Sequence, residues 1–316
     1  MPKVVSIGIA VLDVLARPLP ITPSKDDSTR VESIKMMPGG DALNVAVALS
    51  TMGVSAGLLT KTGTDLNGEV LIKHLADTSV DTSAVRTDPN RQTSTSLVLI
   101  REDGERSFIT MKGAHHYFTR DDIDWSYLEG ARVVNISSLF GLTNFGIDDA
   151  AAVLEFCRAR GITTTMDFMY DKTGEEIKRI SEILPLLDYA LPSALEAEQM
   201  TAGSPKEKPT AEETAARLLR LGCRNVVIKL GEKGCYIKTE HLEKHLPSRR
   251  VEAVDTTGAG DSFVAGFILG LLRNWDITGC AAFASTIGAL NCRRTGATAG
   301  VPDAKEVVQY FPASNG

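Results

Sequence analysis

Two glycines flanking one small residue, Gly258-Ala259-Gly260, followed at once by Asp261 and a long apolar run, are the residues best suited to chemistry. That spacing lets successive backbone N–H groups turn inward at a helix start, where the helix dipole adds positive potential, so a phosphate or a developing anion fits there. Asp261 then falls in the first turn of the helix. The same residues also suit an ordinary tight turn with an acidic residue favouring the helix start, and spacing alone leaves both readings open. Other phosphate loops are ruled out by pattern. The next glycine after Gly260 is Gly266, so no G-x-G-x-x-G passes through the segment, and the run from Lys229 to Gly234 lacks a P-loop's spacing and its Lys-Ser/Thr ending.

The elements that must position such a site follow from periodicity. Val4 to Leu12 is a short apolar run suited to a strand buried on both faces. Residues 17–38 hold four prolines among alternating positions and read as a loop with short exposed strands. Asp41 to Met52 has helical spacing and stops at Gly53. Thr93 to Lys112 contains two alternating runs joined by Glu102-Asp103-Gly104-Glu105, a hairpin signal. From about residue 131 strand and helix alternate: strands Ala131–Ser137, Thr163–Phe168, Tyr189–Pro192 and Asn225–Leu230, with helices over 147–160, 174–186 and 211–221. Two long apolar helices follow, Gly260–Arg273 and Gly279–Cys292. Such alternation implies right-handed βαβ units and a parallel sheet. Residues 202–210 read as a surface loop, and 239–248, with His241 and His245, as a polar surface connection.

Composition narrows the partners. The 316 residues are 43% hydrophobic and 23% charged, ordinary for a folded chain of at most two structural units. Lys plus Arg number 34 against 40 Asp plus Glu, a net charge of −6 that argues against a nucleic-acid partner. The apolar runs fall short of the ~20 residues that cross a bilayer, and the start MPKVVSIG has no signal-peptide design, so a cytoplasmic protein away from membranes is expected. The five cysteines show no C-x-x-C spacing and read as buried thiols.

The stretch DTTGAGDSFVAGF, from Asp255 to Phe267, and Pro38-Gly39-Gly40-Asp41-Ala42-Leu43-Asn44 near the N-terminus resemble the two signatures of the ribokinase-like (PfkB) carbohydrate kinase family. Lesser landmarks agree in order: Gly8 with Asp13, Gly63-Thr64-Asp65 with Gly68, Asp103 to Arg106, Glu196, Lys229-Leu230-Gly231 with Gly234, and Gly296-Ala297. The resemblance spans nearly the whole chain. It implies an ATP-dependent kinase acting on a sugar hydroxyl, with Asp261 as catalytic base and the amides of Gly258, Ala259 and Gly260 as anion hole. It implies substrate-hydroxyl contacts at Asp13, Gly39, Gly40, Asp41 and Asn44, although helix capping is the other reading of Asp41 and Asn44. On the nucleotide side it implies Ser193, Glu196, Lys229, Gly231, Gly234 and Thr256, with Glu196 ordering water around Mg²⁺. Relatives commonly carry Asn where this chain has Ser193, and a plain strand end is the other reading of Lys229 and Gly231. A monovalent cation, K⁺, is implied beside Asp255 and the carbonyl of Thr257.

The fold the resemblance implies is a doubly wound, mostly parallel α/β sheet with helices on both faces, in residues 1–14, 38–92 and 113–316. A small β lid of residues 15–37 and 93–112 would close over substrate. An open sheet face is a liability, so a homodimer packed lid to lid is expected. Two other functions remain open at this point. One is a nucleoside kinase of the same fold, with Phe108, Tyr117 and Phe168 as candidate base-stacking residues; the other is a catalytically silent sugar-binding protein.

Overall fold

Gly8 splits the first apolar run in two. Its φ of +149° turns the chain out of a central strand, β1 (Val4–Ile7), and into a longer one, β2 (Val11–Leu19), in a different sheet. The single strand expected over Val4–Leu12 is therefore two, because a backbone turn that only glycine adopts readily interrupts an apolar pattern that periodicity reads as continuous. The computed structural model describes residues 1–20, 29–102, 106–201 and 208–312. The expected turn at 103–105 and most of the 202–210 loop lie outside the described residues.

After β2 come β3 (Ser33–Gly39), α1 (Asp41–Thr51), β4 (Ala56–Leu59), β5 (Lys61–Gly63), α2 (Leu66–Ala76) and β6 (Arg86–Asp88). Helix α2, capped by the Asp65 side chain accepting from Gly68 N–H at 3.1 Å, is absent from the sequence-based reading. Then follow β7 (Thr95–Arg101), β8 (Arg106–Met111), α3 (Trp125–Glu129), β9 (Val133–Ile136), α4 (Ile147–Ala159), β10 (Thr163–Met166) and β11 (Tyr189–Ala190). The chain finishes with α5 (Ala194–Thr201), α6 (Ala211–Arg220), β12 (Asn225–Lys229), β13 (Cys235–Thr239), β14 (Glu243–Leu246), α7 (Ala259–Leu272) and α8 (Ile277–Asn291).

The main sheet runs in the order β14-β13-β12-β11-β10-β9-β1-β4. Strands β4, β1 and β9 to β12 pair in parallel, while β13 and β14 pair antiparallel at one edge. The polar connection expected over 239–248 thus contains an edge strand, whose exposed residues carry no apolar alternation to reveal it. Val4 packs into one core with α1, α7 and α8, and Val5 and Ile7 into a second core with α4, which is why both faces of this strand are buried, Ser6 included. Over 174–186 an α-helix gives way to 3₁₀ turns at Glu176–Glu182 and Leu184–Leu186. Pro185 removes a helix donor, and the Asp171 carboxylate takes the Ile177 N–H at 3.1 Å.

A second sheet of four strands, β3-β2-β7-β8, stands apart. It begins at Val11 and ends its second strand at Gly39, so it takes in Asp13 and residues 38–39, beyond the 15–37 expected. Met37 of this sheet reaches Gly296 of the large unit, its Cε 3.1 Å from where a Cβ there would stand. Among the described residues no helix is long and apolar enough to cross a membrane.

Candidate active site

Lys229 and Asp167 stand at the carboxyl ends of parallel strands and Asp41, Glu196 and Asp261 at helix starts, the place where open α/β sheets hold ligands. Gly258 caps α7 with φ +68°, and a Cβ there would collide with the carbonyl of Ala297. Asp261 follows in the first turn and is 8% exposed. Its Oδ2 accepts from Asn44 Nδ2 at 2.8 Å, so the first turns of α7 and α1 meet across 217 residues of sequence. Neither Asn44 nor Asp41 caps its own helix. Gly40 stands at that N-cap with no side-chain bond, Asn44 reaches Asp261, and Asp41 accepts from the Ser138 hydroxyl. This removes the capping reading for both residues.

Lys229, the last residue of β12, forms an ion pair with Asp167 just beyond β10, Nζ to Oδ1 2.6 Å. Its Nζ is 3.5 Å from where a Cβ on Gly260 would stand, so the ammonium lies close to the anion-hole backbone. Burial disfavours this ammonium, but Asp167, Glu196 and Asp261 outweigh it and raise its pKa above the usual lysine range. Burial also raises the Asp261 carboxyl, helped by the charge of Asp41 and opposed by the Asn44 hydrogen bond. Glu196 is pushed up to about 7 by burial and by Asp167, against the pull of Lys229 and the Ser193 N–H. One lysine thus serves a crowd of carboxylates.

Ser193 and Glu196 hold each other at the start of α5: Ser193 N–H donates to Glu196 Oε2 at 2.7 Å, and Glu196 N–H to Ser193 Oγ at 3.4 Å. A serine in place of asparagine therefore still closes the helix start reciprocally. Lys229, Gly231, Gly234, Thr256, Ala259 and Gly260 line one cavity of about 710 Å³. Ser193 and Glu196 are not among its lining residues.

Asp13 sits on β2 with its Oδ2 2.6 Å from where a Gly39 Cβ would be, so a side chain at 39 would displace the Asp13 carboxylate. Burial raises its pKa to about 6, opposed by the Ser96 hydroxyl and reinforced by Asp41. Asp255 accepts from Thr257 N–H at 3.0 Å, Thr257 Oγ1 at 2.7 Å and Gly296 N–H at 3.0 Å. The Thr257 carbonyl, expected to face a monovalent cation, instead accepts from Asn291 Nδ2 at 3.0 Å. An amide hydrogen thus already engages the carbonyl to which K⁺ was assigned.

Asp167 and Ser138 escape the sequence reading. A lone Asp after a strand has no spacing signature, and its position at the end of β10 is the one usable signal. Ser138 stands at φ +57°, a left-handed backbone that sequence does not announce.

An open α/β sheet with an acid and a glycine loop at one helix start, an ammonium beneath it and a second sheet bearing Asp13 defines a small-molecule phosphotransferase. The sequence profile of the pfkB family carbohydrate kinases matches residues 1–304, and the chain belongs to this family, whose members transfer phosphate to an alcohol acceptor. It is similar to the ATP-dependent ribose-1-phosphate kinase of Halopiger xanaduensis, 30% identical over 314 residues and 98% of each chain. It is also similar to the ribokinase of Staphylococcus aureus, 25% identical over 88% of this chain and 89% of that one. Arabidopsis thaliana ribokinase complexed with ribose and ATP has the same fold, with TM-score 0.83 and 23% identity over 99% of both chains.

Proposed function

We propose that this chain transfers the γ-phosphate of ATP to a hydroxyl of a sugar or sugar-like molecule. The observation that carries the reading is the buried Asp261, joined to Asn44 and set one residue after the Gly258–Gly260 loop. Asp13 and Asn44, with the backbone at Gly39 and Gly40, hold substrate hydroxyls, and Asp41 orders Ser138 beside them. Asp261 orients the attacking hydroxyl and takes its proton. The amides of Gly258, Ala259 and Gly260 face the charge that develops during transfer, and the Lys229 ammonium adds a counter-charge below them. ATP occupies the cavity bordered by Lys229, Gly231, Gly234 and Thr256. Mg²⁺ would neutralise its phosphates, with the carboxylates of Glu196 and Asp167 as the groups suited to hold the waters around it. The second sheet closes over the sugar and excludes water. A cytoplasmic location with its ATP supply suits the buried free cysteines, Cys157, Cys223, Cys235, Cys280 and Cys292.

Of the three aromatic candidates for a nucleoside kinase, Phe168 and Tyr117 are poorly placed, while Phe108 stands exposed on the Asp13 face of the second sheet. Phe168 is buried in the core beside Phe140, and the Tyr117 ring is covered by the Arg91 guanidinium at 4.1 Å. The test is ADP release from ATP against ketohexoses, pentoses, their phosphates, keto-deoxy acids, polyols and nucleosides, alongside thermal shift. Turnover with a sugar supports the kinase; sugar-induced stabilisation without any ADP would favour a silent binding protein.

The Asp13 pKa near 6 has a kinetic consequence. As pH falls through that value the carboxylate protonates and loses acceptor capacity, so KM for the sugar is expected to rise while kcat changes less. In Asp13→Asn the KM should be high and flat across the same range; a wild-type KM that is constant from about pH 5 to 8 would remove Asp13 from substrate binding.

A homodimer through the second sheet belongs to the same reading. Strand register places Ile34, Met36, Val14, Leu97, Ile109 and Met111 on one face, opposite to Asp13. Ile34, Met36, Leu97, Ile109 and Met111 are exposed there, a contiguous apolar patch that a second copy would cover. Light scattering at micromolar concentration is expected to report twice the chain mass, and Ile34→Glu with Ile109→Glu to halve it. A monomeric wild type would end this claim.

A further inference from the structure

We propose that Asn291 replaces a monovalent cation in this chain: its side-chain amide clamps the anion-hole loop to the 296–300 loop, so that activity and stability do not depend on K⁺. The inference rests on the kinase reading for its effect on turnover, but not for its effect on stability.

Asn291 ends α8 and is fully buried, 0% exposed. One amide hydrogen goes to the Thr257 carbonyl, with Nδ2 to O 3.0 Å, and the other to the Ala297 carbonyl at 2.8 Å. Its Oδ1 accepts from Gly300 N–H at 3.1 Å. All three partners are backbone, and they fix the amide's orientation: exchanging oxygen and nitrogen would aim a carbonyl at two carbonyls and an N–H at an N–H. The two bridged carbonyls lie where the catalytic loop is pinned. Thr257 immediately precedes Gly258, and Gly258 packs directly against the Ala297 carbonyl.

Two carbonyl oxygens brought together repel unless a positive group lies between them. A bare cation is one solution, and an amide bearing two partly positive hydrogens is another. The two exclude each other, since a cation placed between these oxygens would face the amide hydrogens. Asp255 reinforces the clamp from the other side through its bonds to Thr257 and to Gly296 N–H. Asn291 touches neither substrate and is a positioning residue: it holds the Gly258–Gly260 amides in register, where small displacements are expensive.

The test compares wild type and Asn291→Ala in potassium, ammonium and tetramethylammonium chloride at equal ionic strength, reading both Tm and kcat. Wild type is expected to show the same Tm and kcat in all three. Asn291→Ala opens the space and leaves the carbonyls unbridged, so in tetramethylammonium its Tm should fall and its kcat drop on the order of 10–100-fold. Potassium or ammonium should restore part of both. Should Asn291→Ala not fold, Asn291→Ser keeps one donor and is expected to show the same cation-dependent Tm in weaker form. A wild-type Tm or kcat raised several-fold or by several degrees by potassium would overturn the proposal, as would an alanine variant indifferent to the cation. The Tm arm decides the matter even if no sugar is turned over.

Discussion

Asp261→Asn is expected to lower kcat by about 10²–10⁴-fold, the usual cost of removing a general base, without lowering Tm. The second half follows from the site. Asp261 is buried, its pKa is raised by burial and by Asp41, and its carboxylate therefore costs stability at neutral pH. An asparagine keeps an oxygen to accept the 2.8 Å bond from Asn44 and removes the charge that Asp41 repels. Linkage has a definite sign here: a carboxyl whose folded pKa is raised destabilises above its unfolded pKa, so the variant's gain in Tm should grow from acid to neutral pH. For wild type, kcat/KM should fall on the acid side as the base takes a proton. A reading in which Asp261 merely favours its helix start makes the opposite pair of forecasts, a loss of ~0.3–1 kcal/mol with turnover intact. Circular dichroism melts and steady-state rates on one preparation separate them.

Lys229→Met should do the reverse, damaging stability and nucleotide use together. The side chains of Lys229 and Asp167 are 12% and 7% exposed, and removing one partner of a buried pair typically costs ~3–5 kcal/mol. The loss is expected to be smaller in acid. Without the ammonium, Glu196 and Asp261, whose carboxyls are already raised, can relieve the repulsion by taking protons, which they do more readily as pH falls. Adding Asp167→Asn to Lys229→Met should recover much of the Tm, because the orphaned charge is gone. Turnover should stay low in the double variant, because the phosphoryl group still lacks its counter-charge. Full recovery of kcat/KM for ATP in the double variant would make the pair purely structural; a Lys229→Met protein as stable as wild type would mean the pair contributes nothing net.

What the sequence discloses here is local. Gly258, Ala259, Gly260 and Asp261 lie within one helix start, and their spacing already proposes an anion site. Gly40 to Asn44 form another helix start, but spacing cannot say that the two starts face each other, since the Asn44 to Asp261 bond joins segments 217 residues apart. Asp167 was invisible for the same reason: its meaning comes from Lys229, one strand end against another. The alternation of strand and helix after residue 131 discloses the doubly wound sheet, yet the antiparallel edge strand Glu243–Leu246 has charged, exposed residues and no periodic signal. The split at Gly8 shows the limit most plainly. Hydrophobic pattern reports burial, while the direction of the chain turns on one glycine's φ.

The most direct measurement is phosphorus NMR of the wild-type protein with ATP, Mg²⁺ and the sugar that most raises its Tm, run beside Asp261→Asn. The account predicts that the γ-phosphate signal is replaced by a sugar phosphate ester at a rate the variant lowers by about 10²–10⁴-fold. Inorganic phosphate as the sole product, or ester formation at equal rates in both proteins, would contradict it.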